Sequence, residues 1–181
     1  MIKASDYKYA QQKAGEMFRQ ADLVINDGEI GKIEVVDFGL SQFEKEGASI
    51  LTLAQTDRIS VKVLALFPNQ TEPEHWHPPV GSDPGKEETI RAIWGDLRFY
   101  IPGENTLAEG LIPDGKEDVY TCRNELILNP SDQLTLEPGK KHWFQAGPQG
   151  AVLYSFSTIA RDVLDKFTDP NIKRITEVIE D

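Results

Sequence analysis

The sequence predicts an all-β fold, an antiparallel barrel or jelly roll with an accessory helix at its start. Three features support this. From Ile33 onward, short runs of β-branched and aromatic residues follow one another. Glycine- and proline-rich punctuation separates them at the spacing of a β-meander. Only the opening segment lacks that texture: in "MIKASDYKYAQQKAGEMFRQ", Tyr9, Met17 and Phe18 with alanines between them form a loose apolar stripe at helical period.

Taken in order, residues 1–30 form an accessory helical segment, with Ser5 as the expected cap. Residues 33–160 form the barrel: "SILTLAQ", "ISVKVLALFP", "ETIRAIWGDLRFYIPG", "ELILNPSDQLTLEPG", "HWFQAG" and "GAVLYSFSTIA" each suit a strand or hairpin. The connecting turns fall at "PNQ", "PGEN", "IPDGKED", "NPSD", "EPGK" and "GPQG". Residues 161–181, charged at nearly every turn and interrupted by Pro170, make a short helical or looped segment wrapping the outside. At 181 residues, the whole suits a single domain able to bury a core unaided.

Composition excludes several roles. Thirty acidic against nineteen basic residues give a net charge of −11, which repels phosphate backbones and anionic lipid, so neither nucleic acid nor membrane is an expected partner. A lone cysteine, Cys122, rules out an internal disulfide and fits a reducing compartment; a cytoplasmic location is the expectation. No stretch approaches the ~18 apolar residues of a membrane span.

Two of the three histidines stand in "EHWHPP". In an extended strand His75 and His77 share a face and Trp76 points away, an arrangement suited to one metal ion. A His-x-His pair alone is weak evidence and is more often a surface or hydrogen-bonded pair. The third, His142, opens a strand after the turn in "PGKKHWFQAG", where a barrel can return it to the same interior. Of the adjacent Glu87 and Glu88, strand alternation lets only one face inward.

With His-x-His, a glutamate followed after six residues by Gly95, and a turn leading into a last histidine, the chain resembles the cupins. That resemblance implies His75, His77, Glu88 and His142 as metal ligands. Asn69 replaces a glycine usual in the first motif, and can adopt the same left-handed backbone. The ten residues from Pro78 to Glu87 make a longer loop than the usual three or four. Together, "LFPNQTEPEHWHPP", "GKEETIRAIWGDLRFYIPGE", "HWFQAG" and "FTDPNI" resemble the bacterial D-lyxose isomerases, over roughly Ile33 to Ile172. Trp76 stands where related sequences carry arginine, bearing on sugar preference at the mouth of the site.

The resemblance implies a metal-dependent aldose–ketose isomerase interconverting D-lyxose with D-xylulose, and D-mannose with D-fructose, through an enediol. It favours Mn2+, although three imidazoles and a carboxylate also accept Fe2+, Co2+, Ni2+ or Zn2+. Proton transfer needs a tuned acid or base. The candidates are Lys62, inside the apolar run "ISVKVLALF"; Lys86, two before Glu88; and Asp162 and Asp165 in the C-terminal segment. Each has an ordinary alternative as a solvent-facing charge. Arg161 and Phe144 are the candidate substrate contacts, with Trp76 at the rim; Arg91 has the wrong parity for the site. Trp94 and Trp143 suit packing. A homodimer is expected from barrel-edge protection and family habit. The competing readings are a cupin dioxygenase using the same ligands with iron and a non-catalytic sugar-binding cupin.

Overall fold

A computed structural model describes residues 1–181. In chain order its elements are β1 (Ile2–Lys3), α1 (Ala4–Gln20), α2 (Asp27–Ile30), β2 (Glu34–Val36), β3 (Ala48–Gln55), β4 (Ile59–Leu66), β5 (Thr71–Trp76), β6 (Glu88–Ile101) and β7 (Asn124–Leu128). They continue with β8 (Gln133–Leu136), β9 (His142–Thr158), a 3₁₀ turn (Asp162–Leu164), β10 (Lys166–Phe167) and β11 (Val178–Ile179). One nine-stranded sheet runs in the order β10-β5-β9-β4-β3-β2, and β6 joins β9 to β7 and β8. All of its strand pairs are antiparallel. The two long strands, β6 and β9, pair along most of their length and form the spine on which the sheet curls into a barrel.

The apolar texture of β4 follows from burial on both faces. Leu64 and Leu66 enter the interior core with Ile90, Leu97, Phe99, Phe144 and Leu153, while Val63 and Ala65 pack outward. That outer face is covered by α1 through Ala10, Ala14, Met17 and Phe18, spaced to lie along one stripe. A third cluster gathers Tyr100, Tyr120, Cys122 and Trp143. Trp143 stacks on Tyr100 at 3.6 Å between centroids, and its indole N–H donates to the Cys122 carbonyl at 2.7 Å. Burial and the nearby Glu74 carboxylate push the Cys122 thiol up to about 12.

Three details depart from the sequence expectation. Lys3, not Ser5, precedes α1 as its cap; Ser5 lies inside the helix and its hydroxyl donates to Asp181 at 2.6 Å. Tyr9 does not join the apolar stripe and is 59% exposed. "GPQG" does not reverse the chain, because β9 continues through it along the same partner. The pairing steps from Gly95↔Ala151 to Leu97↔Ala146, so residues 147–150 bulge opposite Asp96 alone. Gly95 is required there: at φ +71°, an added Cβ would stand 2.0 Å from the Gly150 carbonyl oxygen. Asn69 takes the left-handed backbone, with φ +58°. No helix is long and apolar enough to cross a membrane.

Candidate active site

Strands β5, β6 and β9 deliver the histidines and the glutamate to one end of the barrel interior. One ring nitrogen from each of His75, His77 and His142 lies within 4.8 Å of the other two, and all three residues are buried. Their second nitrogens are already engaged. Nδ1 of His75 lies 2.8 Å from the Pro73 carbonyl, Nδ1 of His142 lies 2.9 Å from the Lys140 carbonyl, and Nδ1 of His77 lies 2.8 Å from Asp165. Such contacts set tautomer and ring orientation and leave the Nε2 of each ring for a further partner.

Glu88 points inward and its Oε2 is 3.0 Å from Nε2 of His77; Glu87 points outward and is exposed. Glu88 Oε1 accepts hydrogen bonds from Lys86 at 3.2 Å and from the Ser155 hydroxyl. Burial alone would protonate Glu88, but Lys86 and His77 hold its carboxyl well below the usual range. Burial followed by the neighbouring imidazoles depresses His75 well below its ordinary value, and burial takes His142 down to about 3. At His77, hydrogen bonds to Asp165 and Glu88 outweigh burial and raise it.

These residues fit a divalent metal. Nε2 of His142 is a buried polar atom with no hydrogen-bond partner, an expense that a cation would relieve. Imidazoles and an ionised carboxylate are the donor set a first-row divalent ion takes, with His77, raised by Asp165 and Glu88, giving up its proton as the ion binds.

Around this cluster lies a cavity of about 30 Å³, room for no more than a few waters. Its walls include Lys62, Lys86, Phe144, Asp162 and Asp165. Lys62 faces inward and pairs with Asp162 Oδ2; Lys86 lies 3.6 Å from Asp162 Oδ1 and stays charged, since Glu88 and Asp162 outweigh its burial. The 3₁₀ turn and β10 therefore form a strap across the barrel end. Asp162 tethers it to Lys62 and Lys86, Asp165 ties it to His77, and β10 pairs with β5. Arg161 sits at the rim, 3.3 Å from Asp83.

Of the sequence candidates, Trp76 and Arg161 do not line the cavity, and Arg91 lies outside it as its strand parity implies. Trp76 lies on the opposite face, its ring 5.0 Å from the Lys141 ammonium, and Arg91 donates to Gln133 on the exposed surface. Conversely, Glu72, Ser155 and Arg174 line the cavity without having been singled out. Arg174 joins the strap at 3.7 Å from Asp162 and grips Glu34 with two bonds. Parity hid Glu72: β5 spends three residues, from Glu72 to His75, where β9 spends two, from Phe144 to His142. The resulting bulge turns both Glu72 and His75 inward.

The profile of the D-lyxose isomerase family matches residues 6–181. The D-lyxose ketol-isomerase of Cohnella laeviribosi is 45% identical over 175 residues, covering 96% of each chain. The D-lyxose/D-mannose isomerase of Thermosediminibacter oceani is 46% identical over 179 residues, covering 98% of this chain and 99% of that one. Among solved structures, the L-ribose isomerase of Cellulomonas parahominis superposes with a TM-score of 0.81 over 98% of each chain at 14% identity, a likeness of fold. Sequence similarity along nearly its whole length thus shows that the chain belongs to the D-lyxose isomerase family and is an isomerase.

Proposed function

We propose that the protein interconverts D-lyxose with D-xylulose, and D-mannose with D-fructose more slowly, through an enediol. We assign a divalent metal ion, Mn2+ first, to His75, His77, Glu88 and His142. The observation that carries this is the buried, unpartnered Nε2 of His142 within a cluster of three engaged imidazoles. When bound, such an ion supplies Lewis-acid polarisation of adjacent sugar oxygens.

The chain's own residues supply the rest. Lys86, kept cationic beside Glu88, stabilises the negative charge that develops when a proton leaves carbon. Lys62 and Asp162 offer a donor and an acceptor to sugar hydroxyls once the strap moves aside. Asp165 fixes the His77 ring, Phe144 gives the cavity an apolar wall, and Arg161 lies where an entering sugar passes. The helical segment 1–30, barrel 33–160 and strap segment 161–181 act as one unit, in the cytoplasm, as a homodimer.

A panel of pentoses and hexoses, assayed after chelation and again after metal is restored, tests the reading. D-lyxose should be converted fastest and only by the metal-restored protein. No conversion of any aldose by manganese-loaded protein would refute it.

A further inference from the structure

The cavity is bordered by four carboxylates: Glu72, Glu88, Asp162 and Asp165. Three of them are engaged. Glu88 accepts from Lys86 and Ser155 and faces His77; Asp162 accepts from Lys62 and pairs with Lys86 and Arg174; Asp165 contacts His77. Both cavity lysines are likewise committed to these carboxylates, so neither offers a free amine. Glu72 differs. Its Oε2 is buried with no hydrogen-bond partner, and its Oε1 stands 4.0 Å from Nε2 of His75.

A buried carboxylate oxygen without a donor costs stability. The β5 bulge that turns Glu72 inward beside His75 spends an extra residue to put it there. Such an oxygen, beside the histidine cluster, suits a proton that arrives with a ligand. Resting on the isomerase reading above, we propose that Glu72 is the catalytic base that carries the proton between the two carbons of the sugar.

In the aldose-to-ketose direction Glu72 takes the proton from C2. The electrons of that C–H bond form the C1–C2 double bond, and those of the C1 carbonyl π bond move to O1. Glu72 then returns the proton to C1, the double-bond electrons forming the new C–H bond as C2–O2 becomes the carbonyl. The hydroxyl proton of O2 passes to O1. No electron leaves the sugar and no co-reactant is consumed. Lys86 and Glu88 are left to balance charge, and Glu72 alone shuttles the proton.

The test is Glu72→Gln, nearly isosteric, compared with wild type in four measurements: bound metal, calorimetric affinity for a pentitol, kcat, and deuterium incorporation at C2 of the aldose in deuterium oxide. We expect metal content and pentitol affinity to stay within about twofold. We expect kcat to fall by ~10²–10⁴, the usual worth of a positioned base, with deuterium incorporation falling in proportion. Glu72→Asp, which keeps the carboxylate but withdraws it, should recover part of both. Loss of bound metal in Glu72→Gln would make Glu72 a ligand and overturn the proposal, as would kcat within tenfold of wild type with deuterium incorporation intact. An active wild type beside an active Glu72→Gln overturns this inference alone, whereas an inert wild type with bound metal overturns the isomerase reading and this inference together.

Discussion

Along β4 the interior-facing side chains run from Lys62 through Leu64 to Leu66, and along β6 from Glu88 through Ile90 to Ala92. The same strands therefore build two unlike ends of one barrel. At the far end, Leu66, Leu97 and Ala146 are fully buried and need no partners. At the site end, Lys62, Lys86, Glu88 and Asp162 are tolerated because each neutralises another. The apolar end draws its stability from burial, which is non-directional. The charged end depends on geometry, since an ion left without its partner in such a place is costly. Non-directional packing at one end thus anchors the same strands that carry the paired charges at the other.

Breaking the two ends should have opposite signatures. His142→Ala should abolish metal binding and lower activity by at least ~10³, the scale for losing a principal electrostatic stabiliser. Leu66→Ala should leave metal stoichiometry intact while costing ~2–5 kcal/mol of stability, as core truncations do. Metal analysis and denaturant unfolding on both variants separate the effects; a Leu66→Ala protein that folds stably yet loses its metal would contradict the division.

Acid should distinguish the ends next. At Asp162, burial is outweighed by Lys86 and Lys62, and its carboxyl sits below the ordinary 3.8. A group depressed on folding contributes stability that is complete above its unfolded value and is lost as pH falls through its folded one. Metal-free protein should therefore lose strap order as pH drops below about 4. Asp162→Asn should flatten that part of the profile, read by proteolysis near residues 161–167. An unchanged acid profile would show that the strap is held by other contacts.

The smallest effects should come from residues outside the cavity. Trp76→Phe and Arg91→Ala should each change kcat/KM by less than about threefold, under ~1 kcal/mol. A larger loss from Trp76→Phe would mean that a sugar reaches the outer face of β5.

How much of this was legible depended on regular alternation. His75 with His77, and Lys62 with Leu64 and Leu66, were readable as sharing a face because their local stretches keep a period of two, whereas the choice of Glu88 over Glu87 came from its spacing to Gly95. Glu72 was not readable in this way, because the bulge at Pro73 and Glu74 breaks that period, and no local residue pattern announces it. Arg174 was missed for a different reason: it reaches Asp162 only through the fold of the C-terminal segment, a relation that sequence spacing does not carry. "GPQG" misled because its turn chemistry is real but serves a bulge within β9, not a reversal. The strap was anticipated as a wrapping segment, while its register on β5, Phe167 against His75, came from tertiary pairing.

The solitary thiol of Cys122 has a practical consequence. It lies buried behind Tyr100, Tyr120 and Trp143, with its ionisation pushed up to about 12. Thiol reagents attack the thiolate, so the folded wall should be nearly inert to them at neutral pH. With no second cysteine to blur the reading, the labelling rate becomes a clock for how often that wall opens. Cys122 sits beside Glu74, which accepts from its backbone N–H at 2.7 Å, one residue before His75 on the same strand. The clock therefore times motion just behind the strand that carries His75 without any probe having to be engineered into it.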